Sequence, residues 1–300
     1  MNAATTNAAT TDVDALEPLG RRRESAWRSF LRRRTAVAGA VFLILMAVAS
    51  VAAPVIVRSP PNEQDLRNRL APPDAVHWLG TDDFGRDALS RLLHGGAVSL
   101  SAAAIAVVVA LAIGLPLGLA AGWRGRGADA VLSRLFDGLM SVPALMLALT
   151  IVAVLGPGLV NAMTAIGLVL APQFFRVTRA AAQDVRHETY IEAARAIGCR
   201  TRRTVGRHLM PNVLPPVLVQ VTVTLGVGVS AEASLSFLGL GVEPPTPSWG
   251  GMLTTAAQTI TVAPHLVWPP GIMIFLTVLA FSFAGQGVQT VVASRTSTPH

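Results

Sequence analysis

The chain has 300 residues, 52% of them apolar and only 14% charged, with a mean hydropathy of +0.53. A soluble domain carries about 25% charged residues, so much of this surface is built to face lipid and the expected fold class is an all-α polytopic membrane protein. All 24 basic residues are arginine and there is one cysteine, Cys199; the missing lysine excludes a P-loop and a Schiff base, and the lone cysteine excludes an intramolecular disulfide.

Residues 1–35 read as a polar, Ala/Thr-rich disordered tail that ends in two arginine clusters, Arg21-Arg22-Arg23 and Arg32-Arg33-Arg34. Ala36–Val57 follows, 22 residues without a charge, long enough for a first transmembrane helix, which needs about 20 residues. A cleaved signal sequence is the rival reading, set aside because the apolar run is long and several more follow. Residues 58–96 are expected to form an extracytoplasmic segment between spans. In it Thr81 and Asp82 read as N-cap residues of an amphipathic helix over about 82–94, with Phe84, Ala88, Leu89, Leu92 and Leu93 on the apolar side and Asp83, Arg86, Asp87 and Arg91 on the polar side. Such a helix would cap the spans or dock a partner.

Five more spans are expected at about 97–123, 136–155, 159–180, 211–240 and 267–292, giving a five-helix core over 97–292 and six spans in all. Gly114, Gly118 and Gly122 line one face of the second span, where small residues let helix backbones approach. The plain reading is packing within the chain, and Pro116 between them should bend the helix. Gly156-Pro157-Gly158 marks a tight turn. Glu232 lies in the fifth run, and a carboxylate at membrane depth is costly, so it faces either a translocation path or a structural hydrogen-bonding site. A short tail, 293–300, ends the chain.

Counting arginine loop by loop fixes orientation. With the N-terminus inside, the inner segments hold 19 of the 24 arginines, eight of them between Arg176 and Arg207. The positive-inside rule therefore puts both termini and the 176–210 loop in the cytoplasm. This distribution accounts for the net charge of +7 without a nucleic-acid partner. Enzyme signatures fail. His187-Glu188 opens an H-E-x-x-H pattern but Ile191 stands in the fifth position, no G-x-S-x-G occurs, and the six histidines lack ligand spacing. Neither a catalytic set nor a metal or cofactor site is expected.

Between the fourth and fifth spans lies "ETYIEAARAIG", Glu188–Gly198. Glu188–Ile197 predicts about two and a half helical turns, with Tyr190, Ala193, Ala194 and Ile197 on one side and Glu188, Glu192 and Arg195 on the other. Glu192 and Arg195 are spaced to pair. Gly198 stands where a C′ glycine ends a helix. Thr201 would cap a second helix, "RRTVGRHLM", which ends as Pro211 opens the fifth span. A helix this short is marginal in water and needs a protein surface to rest on.

"EAARAIG" followed by "RHLMPN" resembles the EAA loop of the inner-membrane permease subunits of binding-protein-dependent ABC importers. "GTDDFGRDALSRLLHGGAVSL" and "EASLSFLGLGVEPPTPSWGGML" resemble segments of the C-type subunit in the dipeptide/oligopeptide branch. The likeness runs from about Leu79 to Leu253, with Met210 where the family pattern has leucine and His208 at a usually aliphatic position. It implies a type I importer permease with six transmembrane helices and a cytoplasmic coupling helix within the loop 188–211. Glu192, Ala193, Ala194, Gly198 and Pro211 would form the ATPase-coupling loop, the alanine side entering a groove on an ATP-binding subunit. It further implies two such subunits binding ATP and magnesium, a second permease subunit, an extracytoplasmic solute-binding protein and location in a bacterial plasma membrane. The implied cargo is di- or oligopeptides, with nickel chelates, glutathione or similar small solutes as alternatives. An ion-coupled secondary transporter is the rival from another class, and the absence of a clear internal repeat speaks against it.

Overall fold

The computed structural model describes Leu31, residues 33–57 and residues 59–296. The expected disordered tail over residues 1–20, the cluster Arg21-Arg22-Arg23 and the last four residues lie outside them. Among the described residues the chain is helical throughout its ordered elements, the one β contact being an isolated bridge between Thr81 and Asp87. In chain order the α-helices are α1 Arg34–Val51, α2 Ala53–Ile56, α3 Ala88–Arg124, α4 Arg126–Met140, α5 Ala144–Leu155, α6 Leu159–Arg186, α7 Thr189–Ala196, α8 Thr201–Thr204, α9 Met210–Phe237, α10 Trp249–Gln258 and α11 Trp268–Thr296. Among the described residues five helical stretches are long and apolar enough to cross a membrane, or six where the bent pair α4–α5 is counted as one span.

Lipid supplies no hydrophobic force to hold apolar helices together, so close backbone approach must do it. The glycines expected to line one face of the second span do this against α6. A Cβ added to Gly114 would stand 2.5 Å from Phe174 Cβ, one on Gly118 2.7 Å from Phe175 O, and one on Gly122 2.6 Å from Ala182 Cβ. Gly167 of α6 returns the contact, meeting Val109 and the Ala106 carbonyl of α3. The glycine stripe thus packs within the chain. The same device recurs where Gly39 of α1 meets Ala280 of α11, Gly228 of α9 meets Ala103 of α3, and Gly250 of α10 meets Ala233 of α9. Buried Val107, Met163, Ile166, Phe174, Val213 and Val217 fill the space between α3, α6 and α9, while Val48, Val108, Val154 and Phe275 stay exposed, as lipid-facing side chains should. Helix α3 runs unbroken through Pro116.

Three expected elements differ. The third span does not run straight over 136–155. It breaks at Ser141–Pro143, and the two halves meet at 90°. Pro143 cannot donate an intrahelical bond and forces its predecessor out of the helical region, while Ser141 Oγ closes the end of α4 by donating to Gly138 O at 2.7 Å. The hydropathy of α5 hides this break. The amphipathic helix over 82–94 is also absent as a separate element. Residues 81–87 are a turn, and Ala88 begins the long α3, capped by Asp87 Oδ2, which accepts from Ser90 N at 2.7 Å. The turn is fixed at Gly85, whose φ of +73° and contact with the Asp65 carbonyl leave no room for a side chain. The last helix continues to Thr296, past the expected end at 292.

The charges assigned to an exposed polar face are instead buried in a lid over this end of the bundle. Asp82 accepts from the backbone N–H groups of Phe84 and Arg86 and pairs with Arg86 Nε at 2.7 Å and Arg91 Nε at 3.3 Å. Arg91 also donates to Pro61 O, Asn62 Oδ1 and Pro245 O, tying the lid to the α9–α10 connection. His77 pairs with Asp87 at 2.9 Å. Burial, reinforced by the neighbouring Asp82 carboxylate, pushes the Asp83 carboxyl above the usual range. Each buried charge here has a partner, the condition under which burial is tolerated.

Gly114→Ala should lower the thermal stability of the detergent-solubilised protein, by an amount on the scale of core overpacking, about 1–3 kcal/mol. Gly138→Ala, at a glycine with open space around it, is the matched control. Equal melting curves for the two variants would mean that the α3–α6 seam does not need backbone contact.

Candidate functional site: the loop between α6 and α9

The loop forms because its sequence writes two helices with a glycine between them. Helix α7 covers Thr189–Ala196. Ile197 is its last partly helical residue, Gly198 takes φ +78°, Gly198 N donates to Arg195 O at 3.0 Å and Cys199 N donates to Ala194 O at 3.0 Å. That pair of bonds is a Schellman ending, which satisfies helix-terminal carbonyls through a left-handed residue. A Cβ on Gly198 would meet nothing within 4 Å, so the requirement for glycine is conformational and not steric.

The far side of the turn departs from expectation. Arg200, not Thr201, occupies the N-cap position, without a side-chain cap. The second helix does not stop where the fifth span begins. Helix α8, a π-helical turn over Val205–Leu209 and α9 are continuous from Thr201 to Phe237. Pro211 sits in the first turn of α9. It has no N–H to donate to Arg207 O, and the wider π turn just before it admits the proline without ending the helix. Any movement of α8 is therefore transmitted to a membrane span through an unbroken helix.

Three contacts hold α7 to the bundle. Ile191 is fully buried and Ala194 nearly so. The Arg195 guanidinium lies over the Trp123 ring at 4.2 Å, at the end of α3. Tyr190 Oη accepts from Asn212 Nδ2 at 3.0 Å, and the same amide donates to His208 O at 2.8 Å, joining α7 to the start of α9. Partial burial, and then the Glu188 carboxylate, holds the Tyr190 phenol above its usual value. The expected Glu192–Arg195 pair does not form among the described residues, because stacking on Trp123 draws the arginine the other way. The expected alanine side is divided as well. Ala194 packs inward with Ile191, whereas Ala193 is exposed together with Tyr190 (44% exposed) and Ile197 (80%). Residues at i, i+3 and i+7 share a helix face, so a largely apolar face is turned outward, with Glu192 beside it.

Sequence reasoning missed the polar connection between α4 and α6 that supports this loop. The Asp129 carboxylate accepts from Arg179 through both oxygens, and from Gln183 and Ser133, while Arg176 pairs with Asp137 at 2.7 Å. Arg186, at the end of α6, donates to the Gly122 and Trp123 carbonyls of α3. Helical spacing of acids in α4 against arginines in α6 was the available signal, hidden because the two lie some 50 residues apart.

Glu232 lies far from the loop. It is fully buried, accepting from Ser99 Oγ at 3.0 Å and Ser236 Oγ at 2.7 Å. Ser99 Oγ in turn accepts from Trp249 N at 3.1 Å, and Trp249 Nε1 donates to Leu92 O at 3.0 Å. The carboxylate knits α3, α9 and α10 together and touches no open surface in this conformation.

Residues 114–298 match the family model described as the binding-protein-dependent transport system inner membrane component, and residues 23–73 match the N-terminal transmembrane domain of oligopeptide transport permease C. The chain belongs to the binding-protein-dependent transport permeases. It is 40% identical over 264 residues to the dipeptide transport system permease protein DppC of Alkalihalophilus pseudofirmus, covering 88% of this chain and 87% of that one. It is 39% identical over 264 residues to the glutathione transport system permease protein GsiD of Pectobacterium atrosepticum, covering 88% of each. Among solved structures, the inward-facing MetNI methionine ABC transporter shares the fold, with a TM-score of 0.54 at 23% identity over 68% of this chain and 97% of that chain. The architecture is therefore that of a type I ABC importer permease, and the chain is a multi-pass transport component.

Gly198→Val should insert normally but reduce transport by the assembled permease about tenfold, since a non-glycine residue in the left-handed region costs about 1–2 kcal/mol. Gly198→Asn, which tolerates that conformation, should retain most of it. Uptake by the valine variant equal to that of the asparagine variant would show that the turn conformation is not required.

Proposed function

We propose that this permease is one of two membrane subunits of an ATP-driven importer of di- or oligopeptides, and that α7 receives motion from a cytoplasmic ATP-binding subunit. The observation that carries the proposal is the outward face of α7. Tyr190, Ala193 and Ile197 are exposed on a helix whose opposite face is anchored to the bundle. By arginine distribution this loop lies on the cytoplasmic side with both termini, so lipid does not cover that face and a protein groove suits it. Ala193 admits close approach, Glu192 orients the helix at the rim of the groove, and Gly198 turns the chain back into α8. Ala194 contributes from the inner side by packing α7 onto its own bundle. The continuous helix through Pro211 carries the displacement into α9.

ATP and magnesium belong to the two partner subunits. This chain has no lysine for a P-loop and acts as the receiver of the power stroke. A solute-binding protein outside the membrane delivers the cargo, and the second permease chain completes the path. Peptide is the cargo that the dipeptide-transport relative supports. Glutathione, itself a small peptide, is a second reading favoured by the nearly equal identity to the glutathione-transport relative.

Gentle affinity purification of the chain from its native membranes, followed by mass spectrometry, should recover ATP-binding subunits, a second permease and a binding protein whose retained ligand is a peptide. Recovery of the chain alone, in a detergent that preserves other such complexes, would contradict the assembly. In the same preparation Glu192→Lys should lower ATP-binding-subunit recovery severalfold; undiminished recovery would remove Glu192 from the docking face.

A further inference from the structure

We propose that Gln173 of α6 and Gln220 of α9 form a contact for the peptide backbone midway along the translocation path, an inference that rests on the peptide-importer reading above. Both lie in the central part of their helices, about 21 Å and 15 Å of helical rise from the first residues, Leu159 and Met210. Gln220 Nε2 donates to Gln173 Oε1 at 3.0 Å and to Thr224 Oγ1 at 3.0 Å. Those two bonds use both hydrogens of that amide. Gln220 Oε1 and the Gln173 NH2 group have no partner among the described residues. Exchanging O and N in both amides leaves the same surplus, one acceptor and one donor group on adjacent side chains.

Neither glutamine is buried; both are partly open to the surface. Hydrocarbon offers nothing to satisfy the surplus donor and acceptor, and leaving amide groups unpaired in an apolar medium is costly. Exposed hydroxyls elsewhere in the bundle avoid the problem by donating to their own helix, as Ser282 of α11 does to Val278 O, Ser234, further along α9, to Ser230 O and Thr150 of α5 to Met146 O. The glutamine pair does not close on itself in this way. It presents a donor and an acceptor side by side at mid-depth, which matches the C=O and N–H of a peptide chain. Fully buried Thr224 holds the Gln220 amide in place. Amides carry no charge, so the contact would accept peptides of any side chain.

Two arms test this in the complete transporter. In a Cys199→Ser background, Gln173→Cys and Gln220→Cys should react with a charged, water-soluble thiol reagent at least about tenfold faster than Val108→Cys on the lipid-facing surface, and trialanine should slow the reaction. Reaction no faster than at Val108, or no slowing by trialanine, would place the pair against lipid or the second permease and overturn the assignment. In proteoliposomes the Gln173→Leu/Gln220→Leu double variant should lose about tenfold in trialanine uptake, the scale of two lost neutral hydrogen bonds. Copurification of the other subunits should be unchanged. Unchanged uptake with wild-type assembly would sink the glutamine contact alone. If the wild-type transporter itself takes up neither trialanine nor another small peptide, the peptide reading and the contact fall together.

Discussion

Backbone-to-backbone contact between α3 and α6, made at Gly114, Gly118, Gly122 and Gly167, is the constraint on which the rest of this molecule depends. In lipid there is little to gain from bringing one apolar helix against another unless the two fit without gaps. The glycines create that fit, and their regular spacing fixes the rotation of each helix about its axis. With α3 and α6 set, the ends of both helices are set too. Arg186 caps the α3 carbonyls, and Trp123 stands ready for Arg195. The loop helix is therefore mounted on the most constrained pair in the bundle.

Its other attachment is different in kind. Asn212 joins α7 to the start of α9, and α9 is reached from the glycine turn through an uninterrupted helix with one π turn in it. One side of α7 thus rests on a fixed seam and the other leads into a span that can be levered. The glutamines assigned to the path lie on α6 and α9, the two helices that a displacement of this loop would move relative to one another. At the opposite end of the bundle, the Asp82–Arg86–Arg91 cluster and the serine-bound Glu232 hold α3, α9 and α10 together. That end is bound by buried polar contacts and the loop end by part-buried and exposed ones. Local stability follows contact density and burial, so motion is easier at the loop.

Much of this was legible in the chain. Long uncharged runs gave the spans, glycine at four-residue spacing gave the packed face, and "EAARAIG" gave a helix with its glycine ending. These features are local, and local physics decides them. Where several forces compete the reading went astray. Asp82, a good cap residue by type, is instead claimed by two arginines, so the helix begins at Ala88 with Asp87 as its cap. Pro143 breaks a run that hydropathy alone joins. Arg195 prefers the Trp123 ring to Glu192, a choice made by a residue 72 positions earlier. Ala193 and Ala194, adjacent in the motif, divide between solvent and core because successive helix positions point about 100° apart. The Asp129–Arg179 and Gln173–Gln220 pairs depend on register between distant helices, which no short window contains.

The central claim is that the outward face of α7 docks on an ATP-binding subunit and moves with it. Site-directed cross-linking tests this most directly. Ala193→Cys in a Cys199→Ser background, within the assembled transporter, would be treated with a short bifunctional thiol reagent in the presence and absence of ATP. The account predicts an adduct to the ATP-binding subunit from position 193, with a yield that changes when ATP binds, and none from Ile191→Cys on the buried face. Cross-linking from neither position, in a complex shown to contain the ATP-binding subunits, would contradict it.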